Sequence, residues 1–220
     1  MVGVNPETAT AKTFRLQLSD PSSHLAGQHY IVRLTAPDGY TASRSYSVAS
    51  PPDESEIDLT VERLPGGEVS EFLHDEVRAG DELEVRGPIG RWFVWRGDTP
   101  ALLLGGGSGV VPLMAMLRLA RSTGRADLLR VVVSVRSPDS LYYAHELPGP
   151  ETSIIYTRTA PPSYERPVGR LTTNDLANFP PGATVYICGS SGFADAATDL
   201  TMELGVPAER IKVERFGPTG

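Results

Sequence analysis

The chain has little of what disulfide frameworks, metal centres and membrane segments require. Cys188 is its single cysteine, which excludes an internal disulfide and a [2Fe–2S] cluster held by this chain alone, since such a cluster usually takes about four thiolates. The four histidines have no metal-ligand spacing, and we predict no metal site. Apolar runs such as 101–104 and 131–133 are far shorter than the ~20 residues that cross a bilayer, so we expect no membrane insertion.

An excess of positive charge is also missing. With 20 Lys and Arg against 27 Asp and Glu, the net charge is −7, and this disfavours nucleic acid as a partner. The first residues lack the basic start and apolar centre of a secretory signal, and the cysteine usage fits a reducing compartment. We therefore expect a cytoplasmic protein.

The first hundred residues have the pattern of β-structure. Short segments alternate apolar and polar side chains and are separated by turns rich in Pro, Gly and Asp; they are 14–19, 29–36, 44–50, 56–64 and 82–87. About six strands at this spacing favour a barrel. One amphipathic helix interrupts them, with Val69, Phe72, Leu73 and Val77 predicted on its buried face.

After residue 100 the pattern changes to apolar strands alternating with helices. This alternation predicts a parallel sheet covered by helices; the segments are 100–106, 111–123, 128–135, 142–147, 153–157, 172–179, 183–189 and 192–204. The helix at 111–123 is apolar on most faces and should be buried, with Pro112 suited to its first turn.

Two segments carry groups that suit phosphates and flat heterocycles. The segment Arg44 to Ser50 combines a guanidinium, a phenol and hydroxyls, which suit a phosphate and a polar-edged ring. Gly105, Gly106, Gly107 and Gly109 lie between a buried strand and a helix, where a ligand can approach the backbone. The alternative interpretation of the glycines is a tight turn with a packing role only.

Two further turns allow both a binding and a structural interpretation. Gly66 and Gly67 precede a helix whose amides and Ser70 hydroxyl suit an anion or simply cap the helix. Cys188 and Gly189 end a buried strand, where ligands bind in open α/β sheets, although a lone cysteine is often a small buried apolar residue. Likewise Tyr142 and Tyr143 suit either stacking on an adenine or partial burial.

Together, these motifs resemble those of the ferredoxin–NADP reductase superfamily, in particular the bacterial electron-transfer reductases that feed oxygenases. The family pattern is Arg-x-Tyr-Ser, Gly-x-x-Ser, Gly-Gly-Gly-x-Gly-x-x-Pro, Cys-Gly-x-x-x-Phe and a terminal Glu-x-aromatic. In this chain the motifs are Arg44 to Ser47, Gly67 to Ser70, Gly105 to Pro112, Cys188 to Phe193 and Glu214 to Phe216. The match follows the family order over nearly the whole chain.

The resemblance implies a two-part fold. An antiparallel six-stranded FAD-binding β-barrel is expected at residues 1–97, and a Rossmann-like parallel-sheet NAD(P)H-binding domain at residues 98–220. The reacting rings would meet in the cleft between them.

The resemblance also implies the flavin contacts. Arg44 and the turn at Gly67, Val69 and Ser70 would bind the flavin pyrophosphate. Ser45, Tyr46 and Ser47 continue the same cofactor-binding strand, with Tyr46 and Ser47 lining the isoalloxazine. Ser108 would reach the flavin from the second domain.

On the nicotinamide side, the resemblance implies that the turn at Gly105 to Gly107, continued by Gly109 and Pro112, cradles the pyrophosphate of NADPH or NADH. Cys188, followed by Gly189, would lie beside nicotinamide C4. Arg136 and Arg158 follow strands where an arginine can pair with a 2′-phosphate, which favours NADPH, whereas Asp195 stands near the place where some NADPH-specific relatives carry an arginine.

Four residues would act at the reacting rings. Ser47 would hydrogen bond near flavin N5, and Glu214 would orient that serine or pass a proton. Cys188 completes the catalytic set with Phe216, which would stack on the flavin and swing away for hydride transfer. The tail from Gly217 to Gly220 departs from the plant-type pattern, in which the aromatic residue ends the chain.

The expected reaction passes hydride from NAD(P)H to FAD and then single electrons onward. Since the chain lacks cluster cysteines, we expect no fused iron–sulfur domain, and instead a transient partner such as a ferredoxin or another one-electron acceptor. We expect a monomer. The alternatives are a flavin or ferric reductase with a small-molecule acceptor, an electron-transfer subunit of a larger complex, and FMN in place of FAD.

Overall fold

Six antiparallel strands build the first part of the molecule. The computed structural model describes residues 1–20, 23–52 and 55–217. One three-stranded sheet has the order β1-β2-β5 and the other the order β4-β3-β6. The strands are β1 (Gly3–Pro6), β2 (Ala11–Gln17), β3 (His29–Thr35), β4 (Thr41–Ser47), β5 (Glu56–Glu62) and β6 (Glu84–Ile89). A bridge between Val48 and Leu59 joins the two sheets, as the predicted barrel requires.

The barrel encloses one apolar core. Alternate residues of the strands point inward because side chains in a strand alternate between faces; among those buried are Phe14, Tyr30, Val32, Ile57 and Leu59. Strand β1 was not among the predicted segments, since its sequence, GVNP, shows no clear alternation.

Helix α1 (Glu68–Asp75) closes one side of the barrel, where it packs on β3 and β4. Val69 and Leu73 are buried, as predicted, but the prediction for Phe72 is wrong, since its side chain is 43% exposed. The buried stripe passes instead through His74, whose ring nitrogen bonds to the Val61 carbonyl at 2.9 Å.

The second part is a five-stranded parallel sheet in the order β11-β10-β7-β8-β9. Its strands are β7 (Ala101–Gly106), β8 (Leu129–Val135), β9 (Thr152–Tyr156), β10 (Thr184–Gly189) and β11 (Ile211–Arg215). Two apolar clusters cover its two faces. Helix α2 (Val110–Ser122) contributes to one cluster, and α3 (Thr173–Leu176) and α4 (Ser191–Glu203) to the other.

The helix predicted at 142–147 is a single turn instead. Tyr143 has φ +54°, in the left-handed region, which ends a right-handed helix because the conformation is costly for residues other than glycine. The N–H of Leu147 donates to the Tyr143 carbonyl at 2.8 Å.

Buried polar contacts join the two parts. Arg118 of α2 donates to the Ala49 carbonyl at 2.9 Å and lies 3.5 Å from the Asp58 carboxylate of β5. The Tyr143 hydroxyl donates to Thr60 Oγ1 at 2.5 Å. These contacts fix the parallel sheet against the barrel.

Candidate functional site

Three predicted motifs meet at the carboxyl edge of the parallel sheet. Cys188 on β10 pairs in register with Gly105 on β7 and with Glu214 on β11. Just beyond, the N–H of Phe216 donates to the Gly189 carbonyl at 2.8 Å. Segments separated by more than eighty residues in the chain are thus neighbours, at the edge where open α/β sheets bind ligands.

The electrostatics of this edge favour neutral side chains. Burial raises the pKa of Glu214 to about 7, because desolvation disfavours the charged carboxylate. Burial also raises the pKa of the Cys188 thiol well above its usual range, and the nearby Glu214 adds to this. Cys188 is fully buried within the apolar cluster beneath α2. Glu214 is therefore a carboxyl group able to gain or lose a proton near neutral pH, and Cys188 is a neutral thiol.

Two glycines of the loop are required for packing. A Cβ at Gly109 would lie 2.0 Å from the Cys188 carbonyl oxygen, and one at Gly106 would lie 2.5 Å from the Phe193 ring. At Gly105 it would come within 3.1 Å of the Leu113 side chain, a contact that a small shift of Leu113 relieves. The strand-to-helix turn therefore approaches β10 and α4 more closely than any side chain permits.

Gly107 and Ser108 form the open part of the same loop. A Cβ at Gly107 would meet no atom within 4 Å, and its φ of +56° is one that glycine adopts readily. Ser108 is half-buried. Pro112 lies in the first turn of α2 with its side chain buried, and it has no N–H to donate. An approaching phosphate therefore has access to the backbone at Gly107 and Ser108.

Strand β4 presents different groups on its two faces. Arg44 and Tyr46 share one face, since residues i and i+2 do so; Arg44 is exposed and Tyr46 half-buried. Burial raises the pKa of Tyr46 to about 12, so its phenol remains protonated. Among the described residues, Arg44 donates only to the neighbouring Ser43 carbonyl and pairs with no carboxylate. Its guanidinium is thus available to an anion.

Ser47 lies on the other face of β4, and so does the exposed Ser45. Ser47 pairs with His29 of β3, which places their side chains next to each other on one face. Within the described part of the chain neither side chain has a hydrogen-bond partner, and burial lowers the pKa of His29. His29 was not predicted as a site residue. In the hairpin of β3 and β4, the numbers of two paired residues sum to 76. This register would have identified His29 as the neighbour of Ser47.

The N-terminus of α1 offers backbone donors near Arg44. In the described structure, no side chain caps the helix at Gly67, and the first intrahelical bond runs from the Glu71 N–H to the Gly67 carbonyl at 2.8 Å. The amides of Glu68, Val69 and Ser70 precede that bond and point outward. This set of amides, with the Arg44 guanidinium, fits a pyrophosphate.

The Ser70 hydroxyl has a structural role. It donates to the Gly67 carbonyl at 3.1 Å and accepts from the Leu64 N–H at 3.2 Å. The sequence left two roles for this hydroxyl, anion binding and helix capping, and the structure shows the capping role. The backbone amide of Ser70 remains the group that faces outward.

Arg136 and Arg158 end neighbouring strands on the other side of β7. The Arg158 N–H donates to the Arg136 carbonyl at 3.0 Å, and both side chains are exposed. Neither forms an ion pair with a described residue. Asp195, in contrast, already pairs with Arg215 at 2.8 Å, so its charge is largely compensated.

One apolar cluster contains residues from both the barrel and the parallel sheet. Ala49, two residues beyond Ser47, is buried in the cluster that contains Cys188, and Phe216 packs against that cluster. The structure therefore brings the end of β4 and the carboxyl edge of the sheet to the same core.

Tyr142 and Tyr143 are buried. Tyr143 bonds to Thr60 and lies under the Arg118 guanidinium, 5.3 Å from the ring centroid. The burial interpretation of this pair is therefore confirmed, and stacking of either ring on an adenine is not compatible with this packing.

Other features lie outside this region. Two surface depressions of about 820 Å³ and 400 Å³ meet at Arg130 and contain none of the predicted site residues. Within the described ranges, no helix is long and apolar enough to span a bilayer, and no group of three His, Cys, Asp or Glu is placed to hold a metal. Pro218, Thr219 and Gly220, the end of the predicted tail, lie outside the described residues.

Comparison with known proteins agrees with this geometry. Residues 4–94 match the model of the oxidoreductase FAD-binding domain. The flavohem-like FAD/NAD-binding domain of nitric oxide dioxygenase from Vibrio cholerae has the same fold, with a TM-score of 0.82 and 23% identity over 99% of this chain and 98% of that one.

Curated relatives resemble the chain over nearly its whole length. The ferredoxin–NAD(P)+ reductase component of the naphthalene 1,2-dioxygenase system of Pseudomonas putida is 28% identical over 230 residues, which is all of this chain and 69% of the relative. The glycine betaine monooxygenase reductase subunit of Pseudomonas aeruginosa is 32% identical over 99% of this chain and 63% of its own length. These matches support the ferredoxin–NADP reductase-like superfamily of FAD-binding oxidoreductases, which are NAD(P)H-dependent flavoproteins with FAD and a pyridine nucleotide as cofactors.

Proposed function

We propose that this protein takes hydride from NAD(P)H onto FAD and passes single electrons to a separate redox protein, such as a ferredoxin. The observation that carries the proposal is the register of Gly105, Cys188 and Glu214 at the sheet edge, with Phe216 directly beyond it. When bound, FAD accepts two electrons as hydride and releases them singly.

The barrel residues hold the flavin in this proposal. Arg44 and the first amides of α1 bind the pyrophosphate, because among the described residues neither donates a hydrogen bond to a carboxylate, although Glu68 and Glu71 stand in the first turn of the helix. Tyr46 lines the isoalloxazine as a neutral phenol. Ser47 donates or accepts a hydrogen bond near N5, and His29 beside it excludes water from that edge.

The sheet-edge residues position the nicotinamide. Gly107 and its neighbour Ser108 present backbone to the pyrophosphate, since a Cβ added at Gly107 would meet no atom within 4 Å. Cys188 and Gly189 form the floor beneath the nicotinamide ring, and Phe216 occupies the flavin face until the ring arrives. Glu214 holds or releases a proton near Ser47, because its pKa of about 7 permits both states at neutral pH.

We also propose that the two roles divide near residue 97, with residues 1–97 binding flavin and 98–220 binding nucleotide. Arg136 and Arg158 support NADPH as the preferred donor, since two guanidinium groups that form no ion pair with a described residue, and that follow neighbouring strands, suit a 2′-phosphate. The reductase components among the relatives support a protein acceptor.

The test records the absorbance spectrum of the flavin during reduction and reoxidation. Purified protein with FAD is mixed anaerobically with NADPH and, separately, with NADH, and bleaching of the flavin absorbance is recorded. We expect complete bleaching, faster with NADPH, and subsequent reoxidation by an added ferredoxin. A Ser47→Ala variant is expected to bleach at least 10-fold more slowly, since a positioned proton donor or acceptor contributes about 10²–10⁴-fold.

Each failure identifies a different error. Absence of flavin binding would contradict the whole proposal. Bleaching with reoxidation only by free flavin or ferric chelates would replace the protein acceptor with a small molecule. A strong preference for NADH would contradict the role of the two arginines.

A further inference from the structure

Tyr40 is an exposed aromatic residue whose ring is held in place. It ends the turn between β3 and β4, and 57% of it is exposed. Its hydroxyl donates to both carboxylate oxygens of Glu68, at 3.2 and 3.1 Å, and its N–H donates to Asp38 Oδ1 at 3.0 Å. A ring tethered at both ends presents a flat apolar face to solvent with little conformational entropy left to lose.

Tyr40 directly precedes β4 and lies in line with the residues assigned to the flavin. Tyr46, Arg44 and Tyr40 follow one another on one face of the hairpin, and a strand rises about 3.3 Å per residue, so the two steps are about 7 Å and about 13 Å. FAD presents its isoalloxazine, pyrophosphate and adenine in the same order. With the isoalloxazine at Tyr46 and the pyrophosphate at Arg44, the adenine end faces Tyr40.

The start of α1 connects these groups. Glu68, the partner of the Tyr40 hydroxyl, is the first residue of α1, and its amide belongs to the donor set assigned to the pyrophosphate. Leu64 is 49% exposed, and its carbonyl oxygen lies 3.0 Å from a Cβ placed at Gly67. Two exposed apolar side chains therefore flank the helix end that faces the phosphates.

We propose that the Tyr40 ring stacks on the adenine of FAD, and that this contact makes the site select FAD over FMN. The inference rests on the proposed flavin site at Arg44. Stacking of an aromatic side chain on one base contributes about 5- to 150-fold in affinity. FMN lacks the adenine and gains nothing from Tyr40.

The experiment compares two flavins on four proteins. The flavin is removed from the purified full chain, and FAD and FMN are titrated by flavin fluorescence quenching. The proteins are the parent, Tyr40→Ala, Tyr40→Phe and Thr35→Ala, the last being an exposed control at the same end of the hairpin. Circular dichroism of each variant verifies that it folds.

We expect Tyr40→Ala to bind FAD 5- to 150-fold more weakly and to bind FMN as the parent does. Tyr40→Phe keeps the ring and should retain most of the FAD affinity, and Thr35→Ala should match the parent for both flavins. A parent that binds FAD no more tightly than FMN, or a Tyr40→Ala variant with unchanged FAD affinity, overturns the inference and leaves the proposed function intact.

Equal losses for FAD and FMN in Tyr40→Ala would mean that the residue supports the hairpin or the pyrophosphate site, and would also overturn the inference. A parent that binds neither flavin removes the proposed function and the inference together.

Discussion

Glu214 shows how one buried carboxyl group sets a pH dependence. Its ordinary pKa is 4.5, and burial raises it to about 7. Between pH 4.5 and pH 7, Glu214 keeps its proton in the folded protein but has already lost it in the unfolded chain. The free energy of unfolding therefore falls as pH rises through this window. The stabilising state is the neutral carboxyl group, present in full below pH 4.5 and lost as the pH passes 7.

We predict that Glu214→Gln removes this component. The parent should lose about 2–3 kcal/mol of unfolding free energy between pH 5 and pH 8 relative to the variant, since one pKa unit corresponds to about 1.4 kcal/mol. Urea unfolding at pH 5 and pH 8 measures the difference, with Glu82→Gln as an exposed control. Parallel pH curves for the parent and Glu214→Gln would contradict the prediction.

At the scale of an element, the turn between β7 and α2 has both packing and binding requirements. Gly109 contacts the backbone of β10 so closely that an added Cβ would overlap the Cys188 carbonyl oxygen, whereas Gly107 faces open space. The two glycines therefore resist substitution for different reasons, one steric and one conformational.

Gly109→Ala should destabilise the protein by about 3 kcal/mol or more, because overpacking against rigid backbone typically costs about 1–3 kcal/mol and this overlap is severe. Gly107→Ala should cost about 1–2 kcal/mol, for its left-handed backbone alone. Thermal or urea unfolding of both variants tests the order. A larger loss for Gly107→Ala would show that the loop packs differently.

For the whole molecule, the contacts between barrel and sheet decide how the two groups of site residues meet. Arg118 joins α2 to the Ala49 carbonyl and to Asp58, and it also pairs with Glu146 at 2.7 Å. Its side chain is only 18% exposed. Partly buried pairs of this kind are costly to break, since the remaining carboxylates lose a partner in a poorly solvated place.

Arg118→Leu should lower the free energy of unfolding by about 1–3 kcal/mol, less than for a fully buried pair because Asp58 keeps Arg15 at 2.8 Å. Arg63→Leu breaks an exposed pair within the barrel part and should cost less than Arg118→Leu, because exposed ion pairs contribute little to stability. Urea unfolding of the two variants makes the comparison. Equal losses would show that Arg118 does not join the two parts energetically.

Much of the fold was predictable because it depends on local patterns. Alternating side chains predicted β2 to β6, and apolar runs followed by helices predicted the parallel sheet, since side-chain periodicity follows directly from backbone geometry. Phe72 and the segment at 142–147 were predicted wrongly. In each case a specific tertiary contact, the His74 bond to Val61 and the left-handed Tyr143 beneath Arg118, outweighed the local pattern.

The motifs from Arg44 to Phe216 were recognisable in the sequence because the chemistry of phosphates and flat rings restricts which residue types serve them. Their spatial relations were not, since register and packing are long-range properties. Only the tertiary structure aligned Cys188 between Gly105 and Glu214, placed His29 beside Ser47 and tethered Tyr40 to Glu68. The sequence by itself determined the cofactor class, and the folded chain decided which groups share an environment, because pKa and contact depend on burial by residues far apart in the chain.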